Sequence, residues 1–322
     1  VDAPGDPTLR TIEKIDKEQG LDVGIVVISQ DPSQELLVAC MRAGCDEFLE
    51  FPIDREELGE ALARLYRKKG IVDETSGQVT AVYSAKGGTG NTTIACNLAT
   101  MIARELGGES DSCVLDLNLQ FGDVALMLDI REFAHSITET CYDADRLDAA
   151  LLRDYVTRHD SGAALLPAPV DLEEAGEIDP SDLISVVHQC QSVFKHVILD
   201  LPHTLDTLSM AGLDAADEIY LICDMCLPTI HDTREAAELL GEFDYKKSEI
   251  KLIINRYYDS DEISLEEICE HLQLPAYWLV PYDSPVAIAS VNSGRTFDEV
   301  DRNSEAARSL LALSQALAGV EI

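Results

Sequence analysis

Apolar runs alternate with stretches of helical spacing along most of the chain. Residues 22–29, "DVGIVVIS", form an apolar, β-branched run that predicts a buried strand, and residues 32–43 carry a helical pattern. A short strand, "EFLEF" at 47–51, precedes Pro52, and a second helix is predicted over 55–69. This strand–helix–strand–helix rhythm implies parallel strands with helices packed over them. The polar stretch "GIVDETSGQ" at 70–78 holds two glycines and reads as a linker. It divides the 322 residues into candidate domains 1–75 and 76–322. Beyond it, strands are predicted at 79–84, 113–119, 195–202, 218–223, 251–255 and 277–280. Helices are predicted at 92–106, 181–191, 231–241, 265–271, 285–292 and 304–318. Alternation at this spacing argues for an α/β fold with a doubly wound, mostly parallel sheet.

Charge narrows the range of partners. Twenty-four basic against 60 acidic residues give a formal charge of −36, a field that repels nucleic-acid phosphates and anionic lipid. The one basic cluster, Arg64, Arg67, Lys68 and Lys69, ends a predicted helix, where positive charge suits the helix dipole. No apolar run reaches the roughly 18 residues needed to span a bilayer, and no basic-then-apolar leader opens the chain at Val1. Nine cysteines show no framework spacing and read as thiols of a reduced, cytoplasmic protein. Cys223-x-x-Cys226 is open to a redox or zinc reading. With no second pair nearby, a strand end with two small apolar residues is the preferred one.

The chemistry concentrates in "SAKGGTGNTT", residues 84–93, between a predicted strand and a predicted helix. Gly87, Gly88 and Gly90 allow backbone N–H groups to turn onto an anion at a helix N-terminus, and Thr92 falls where a hydroxyl would ligate Mg²⁺. The general phosphate-loop pattern wants a lysine at position 91, where asparagine stands, and a lysine occurs instead at position 86. That arrangement resembles the deviant Walker A motif of the ParA/MinD superfamily. The resemblance implies a P-loop NTPase fold, ATP or ADP with Mg²⁺, and a homodimer in which Lys86 reaches the partner's nucleotide. Asp200, ending "VILD", matches the family's Walker B aspartate, which holds the magnesium shell through water. Asp116 in "LDLNLQFGD" matches the first acid of a D-x-D segment, and Asn118 stands where the second, water-positioning acid belongs. Asn255-Arg256 and the loop Pro281 to Asp283 match the segments that flank the base.

Lys86, Asp116 and Asn118 are thus the candidate catalytic positions. The candidate nucleotide-binding residues are Lys86, Gly87, Gly88, Thr89, Gly90, Asn91, Thr92, Thr93, Asn255, Arg256, Pro281 and Asp283, with Thr92 and Asp200 as candidate Mg²⁺ residues. Asn91 and Asn118 replace groups that serve hydrolysis and spare those that serve shape. Losing one charge-assisted contact in a dry site costs about 2 kcal/mol. Asp123 reads as a solvated loop aspartate, with partial replacement of the missing acid as the alternative. The first domain, through "AGCDEFLEFPID", resembles the second half of a response-regulator receiver with Phe51 in place of the usual lysine. Its acceptor aspartate would fall before Val1, and Asp2 reads as a turn residue. The pairing of domains, with "LDLNLQFGDVALML", "NRY" and "VPYD", is similar to the CpaE/TadZ proteins. It implies a cytoplasmic hub, at a cell pole, for type IV (Flp/Tad) pilus or secretion components. The alternatives are an active partitioning or positioning ATPase and a nucleotide-free scaffold.

Overall fold

The computed structural model describes residues 9, 11–12, 14–15, 24–30, 34–53, 58, 61, 65, 77–106, 112–170, 178–243, 245–260 and 262–320. The chain divides into two compact units, Val1–Thr75 and Ser76–Ile322. In the first, β1 (Val26–Ser29) and β2 (Glu47–Glu50) pair in parallel, joined through α1 (Gln34–Ala43). Val27, Leu36, Cys40, Ala43 and Cys45 share a small core with Ile12. The helix expected over 55–69, the linker and Asp2 lie largely or wholly outside the described residues.

The second unit is built on an eight-stranded sheet in the order β10-β9-β8-β3-β7-β4-β6-β5. Its strands are β3 (Gln78–Tyr83), β4 (Ser112–Asp116), β5 (Thr157–Arg158), β6 (Ala164–Leu166), β7 (His196–Asp200), β8 (Glu218–Asp224), β9 (Ile250–Tyr257) and β10 (Ala276–Pro281). All pairings are parallel except β5 with β6. The period-two alternation of strands sends neighbouring side chains to opposite faces. In β7, Val197 and Leu199 enter one core and Ile198 the other; Ile219, Leu221 and Cys223 of β8 oppose Tyr220 and Ile222 in the same way. Helices cover both faces, as a parallel sheet requires. One face is closed by α2 (Asn91–Leu106), α3 (Val124–Met127), α10 (Ser284–Ser293), α11 (Phe297–Asp301) and α12 (Glu305–Leu317). The other is closed by α4 (Ile137–Tyr142), α5 (Ala149–Tyr155), α6 (Pro180–Val193), α7 (Thr207–Asp214), α8 (Leu227–Glu242) and α9 (Leu265–Leu272). Each fully buried Leu or Ile contributes about 1.5–3 kcal/mol, so Leu199→Ala removes one such contribution and leaves a cavity.

In the second unit, two boundaries differ from the sequence expectation by three residues or more. The strand expected over 113–119 ends at Asp116, because the Asp116 carboxylate accepts the N–H of Asn118 and turns the chain out of the sheet. The helix expected from 231 starts at Leu227, where Pro228 supplies a helical φ in the first turn. Cys226 therefore precedes a helix rather than ending a strand, and among the described residues no cluster of three or more His, Cys, Asp or Glu side chains forms around the Cys223–Cys226 pair. Residues 124–166 hold short helices and two strands where none was expected. No helix among the described residues is long and apolar enough to cross a membrane.

Candidate functional site

Strand order places the site. After β3 the chain fills one side of the sheet with β4 and β6, returns through β7, then crosses β3 to lay down β8, β9 and β10. The carboxyl end of β3 therefore lies where the order reverses, the crevice in which doubly wound sheets bind ligands. Residues 84–90 occupy this end and lead into α2.

The loop is held by its own hydroxyls and by β9. Ser84 Oγ and Thr89 Oγ1 both donate to the Lys86 carbonyl, at 2.8 and 2.7 Å. Gly88 and Gly90 have φ of +82° and +108°, a region that side chains other than glycine rarely enter. From the end of β9, Asn255 Nδ2 donates to the Thr89 carbonyl at 2.7 Å and Arg256 Nη2 to the Gly88 carbonyl at 2.8 Å. Both carbonyls, which would repel an anion, are thereby engaged by donors. Arg256 itself adopts a positive φ of 54° and lies 3.5 Å from Asp224 Oδ2. The residues expected to flank a base thus also grip the loop, a role that strand-end spacing alone did not reveal.

Beside the loop opens a cleft of about 330 Å³. Gly90, Thr93, Asn255, Arg256, Pro281 and Asp283 line it together with Tyr282 and Ile288. Residues from three distant stretches of sequence therefore meet in one cavity of ligand size. The Asp283 carboxylate also caps α10 by accepting the Val286 N–H at 3.2 Å.

On the other side of the loop lie two buried carboxylates. β4 and β7 pair in register with Asp116 opposite Asp200, each only 1% exposed. Burial pushes Asp116 up to about 7, opposed by N–H donors from Val124 and Asn118 and assisted by the charge of Asp123. Burial, then the Asp116 charge, holds Asp200 well above the usual carboxylate range, opposed by a hydrogen bond from the Thr92 side chain. Asp200 Oδ1 and Asn91 Oδ1 are both buried without hydrogen-bond partners. Asn91 Nδ2 lies 3.4 Å from the Leu201 carbonyl. A buried, unpartnered carboxylate oxygen next to a hydroxyl and a second acid is a hard-oxygen donor set that suits Mg²⁺.

Two polar side chains are turned elsewhere. Asn118 donates through Nδ2 to the Phe121 carbonyl at 2.9 Å. Lys86 Nζ pairs with Asp232 Oδ2 of α8 at 2.8 Å, and this contact holds the Asp232 carboxyl below its ordinary value. Asp232, 146 residues from Lys86, carries no sequence signal that would single it out. His203 was also missed; its ring lies against Gly87, where an added Cβ would come within 3.8 Å of Nδ1.

Comparisons with known proteins follow the same lines. Residues 77–232, just under half of the chain, match an AAA domain family model (AAA_31). The septum site-determining protein MinD of Thermotoga maritima is 26% identical over 223 residues, covering 68% of this chain and 80% of that protein. A ParA family ATPase structure from Chlorobium tepidum superposes with a TM-score of 0.70 at 25% identity, covering 74% of this chain and 99% of that one. A MinD from Pyrococcus horikoshii complexed with Mg-ADP gives a TM-score of 0.64 at 22% identity, covering 75% and 96%. The fold is that of the ParA/MinD P-loop NTPases, with its mostly parallel central sheet. The domain match and these relatives support the ParA/MinD ATPase superfamily for this chain.

Proposed function

We propose that this protein binds ATP or ADP with Mg²⁺ and works as a nucleotide-dependent homodimeric hub that positions other proteins, with slowed hydrolysis. The observation that carries the reading is the composition of the site. The glycine loop, Thr92 and the buried Asp116–Asp200 pair stand together, while amides occupy positions 91 and 118. Thr92 and Asp200 would hold the cation, which supplies charge stabilisation to the phosphates. The loop backbone would cradle the phosphates, and the cleft lined by Asn255, Arg256, Pro281 and Asp283 would take the base. An amide at 91 donates a hydrogen bond but carries no charge, and an amide at 118 does not polarise water as a carboxylate does. Binding is retained and turnover is reduced.

The finer assignment, type IV (Flp/Tad) pilus assembly in the cytoplasm at a cell pole, rests on resemblance to CpaE/TadZ proteins. It is carried by the receiver-like first unit together with "LDLNLQFGDVALML", "NRY" and "VPYD". Calorimetric titration with ATP·Mg²⁺ and phosphate-release assays on the wild type, Asn91→Lys and Lys86→Ala test the biochemical core. Wild type should bind nucleotide and turn over slowly, Asn91→Lys should gain affinity or rate about tenfold, and Lys86→Ala should bind but fail to dimerise. Brisk wild-type turnover would exclude the slowed-hydrolysis reading. No binding at millimolar ATP would leave a nucleotide-free scaffold.

A further inference from the structure

The loop between β4 and α3 wraps the Asp116 carboxylate. The Val124 N–H donates to Asp116 Oδ2 at 3.1 Å, and a Cβ on Gly122 would come within 2.4 Å of the same oxygen. Asp123 lies between these two residues, exposed, at the N-cap position of α3 with φ −117° and ψ 0°. Its carboxylate makes no capping hydrogen bond, so the usual structural use of an aspartate at this position is absent. The charge of Asp123 is felt at Asp116 and at Asp200, behind burial as the main cause in each. Asp200 Oδ1, buried and unpartnered, independently marks this place as a ligand site. Asn118 has its amide committed to the Phe121 carbonyl of the same loop.

We propose that Asp123 is the carboxylate that orients the attacking water in the slowed nucleoside triphosphate hydrolysis that remains, partly replacing the acid absent at residue 118. The inference rests on the nucleotide-binding reading above. In that reaction the water oxygen bonds to the γ-phosphorus while the bond from that phosphorus to ADP breaks, its electron pair leaving on ADP. ATP and water give ADP, inorganic phosphate and a proton released to solvent. Asp123 accepts a hydrogen bond from the water and fixes its direction; a carboxylate offers acceptor lone pairs only, whereas an amide presents a competing donor. Positioning of this kind at an exposed site is worth about 10- to 100-fold in rate, at or below the low end of the roughly 100- to 10,000-fold that acid–base assistance gives.

Three variants of the full chain test it: Asp123→Asn, Asn118→Asp and the double variant. Each is measured for affinity toward ATP·Mg²⁺, affinity toward ADP·Mg²⁺ with aluminium fluoride (a mimic of the transferring phosphoryl group), and single-turnover phosphate release. Asp123→Asn should lose about 10- to 100-fold in release and at least tenfold in aluminium fluoride affinity, with ATP affinity within about twofold. The double variant should recover both losses, because an acid is restored at 118. Thermal unfolding of each variant separates loss of fold from loss of function, and rescue by Asn118→Asp shows the fold intact. Unchanged release and unchanged aluminium fluoride affinity in Asp123→Asn would overturn the proposal. So would a tenfold loss of ATP·Mg²⁺ affinity, which would make Asp123 a cation ligand, or a wild type that binds ATP and never hydrolyses it. Absence of ATP binding by the wild type would remove the nucleotide reading as well.

Discussion

At Gly90, φ is +108°, and a Cβ would sit 2.4 Å from Asn255 Nδ2, the atom that clamps the Thr89 carbonyl at 2.7 Å. Gly90→Ala therefore meets two obstacles, a strained backbone and a displaced clamp. The expected loss is about 1–3 kcal/mol of unfolding free energy, with a larger proportional loss of nucleotide affinity because the cleft wall moves with Asn255. Denaturant unfolding and ATP titration of the same variant check this; wild-type affinity would mean that the clamp is dispensable. Glycine positions of this kind are legible in a sequence because backbone geometry demands the residue type. The Lys86–Asp232 pair is of the other sort. Its two side chains are 44% and 36% exposed, so it adds little to stability and holds Lys86 by geometry instead. Nothing within a few residues of Lys86 signals it, because the contact is made by the fold.

Parallel pairing of β4 with β7 sets Asp116 opposite Asp200, and this register has a consequence for pH. Asp116 titrates near 7 in the folded chain against an ordinary value of 3.8. Between those values the folded state holds a proton that the unfolded state has released, so the contribution of Asp116 to stability falls as pH rises through the window, and Asp200, raised by burial in the same direction, adds to the fall. The effect is on the order of a few kcal/mol, shared with Asp200. Urea unfolding at pH 5, 6, 7 and 8 in the presence of a chelator should show falling stability, and Asp116→Asn should flatten the slope. Added Mg²⁺ should flatten it as well, by favouring the ionised carboxylates; a wild type with no slope would contradict the burial-driven shift. The six longer strands of the sheet were readable because a sheet covered on both faces writes itself as continuous apolar runs, whereas β5 and β6, of two and three residues, are too short to show one. Helices α4 and α5 were not, since helices of six and seven residues show barely two turns of periodicity. A usable signal was present in the Ser136–Glu139 capping box, "SITE", and in Asp148, which accepts the N–H groups of Ala150 and Leu151.

For the whole molecule the governing quantity is the charge of −36, which two copies in a dimer would bring together. Pairs such as Arg234 with Glu238 and Lys246 with Glu249 use basic side chains locally, where they do nothing to offset repulsion between copies. Salt therefore acts in two directions. It weakens any local contact from Lys86 to a partner's phosphates, and it screens the repulsion between two acidic bodies, with a screening length that falls from about 30 Å at 0.01 M to about 8 Å at 0.15 M. One local cation on each side stands against dozens of uncompensated carboxylates, so screening should win. Sedimentation of the ATP·Mg²⁺-loaded protein should show the dimer tightening severalfold between about 50 and 500 mM NaCl, the reverse of an interface built on charge complementarity. A dimer that loosens with salt would instead assign the association to a few direct ion pairs, and Lys86 would be the first of these to substitute.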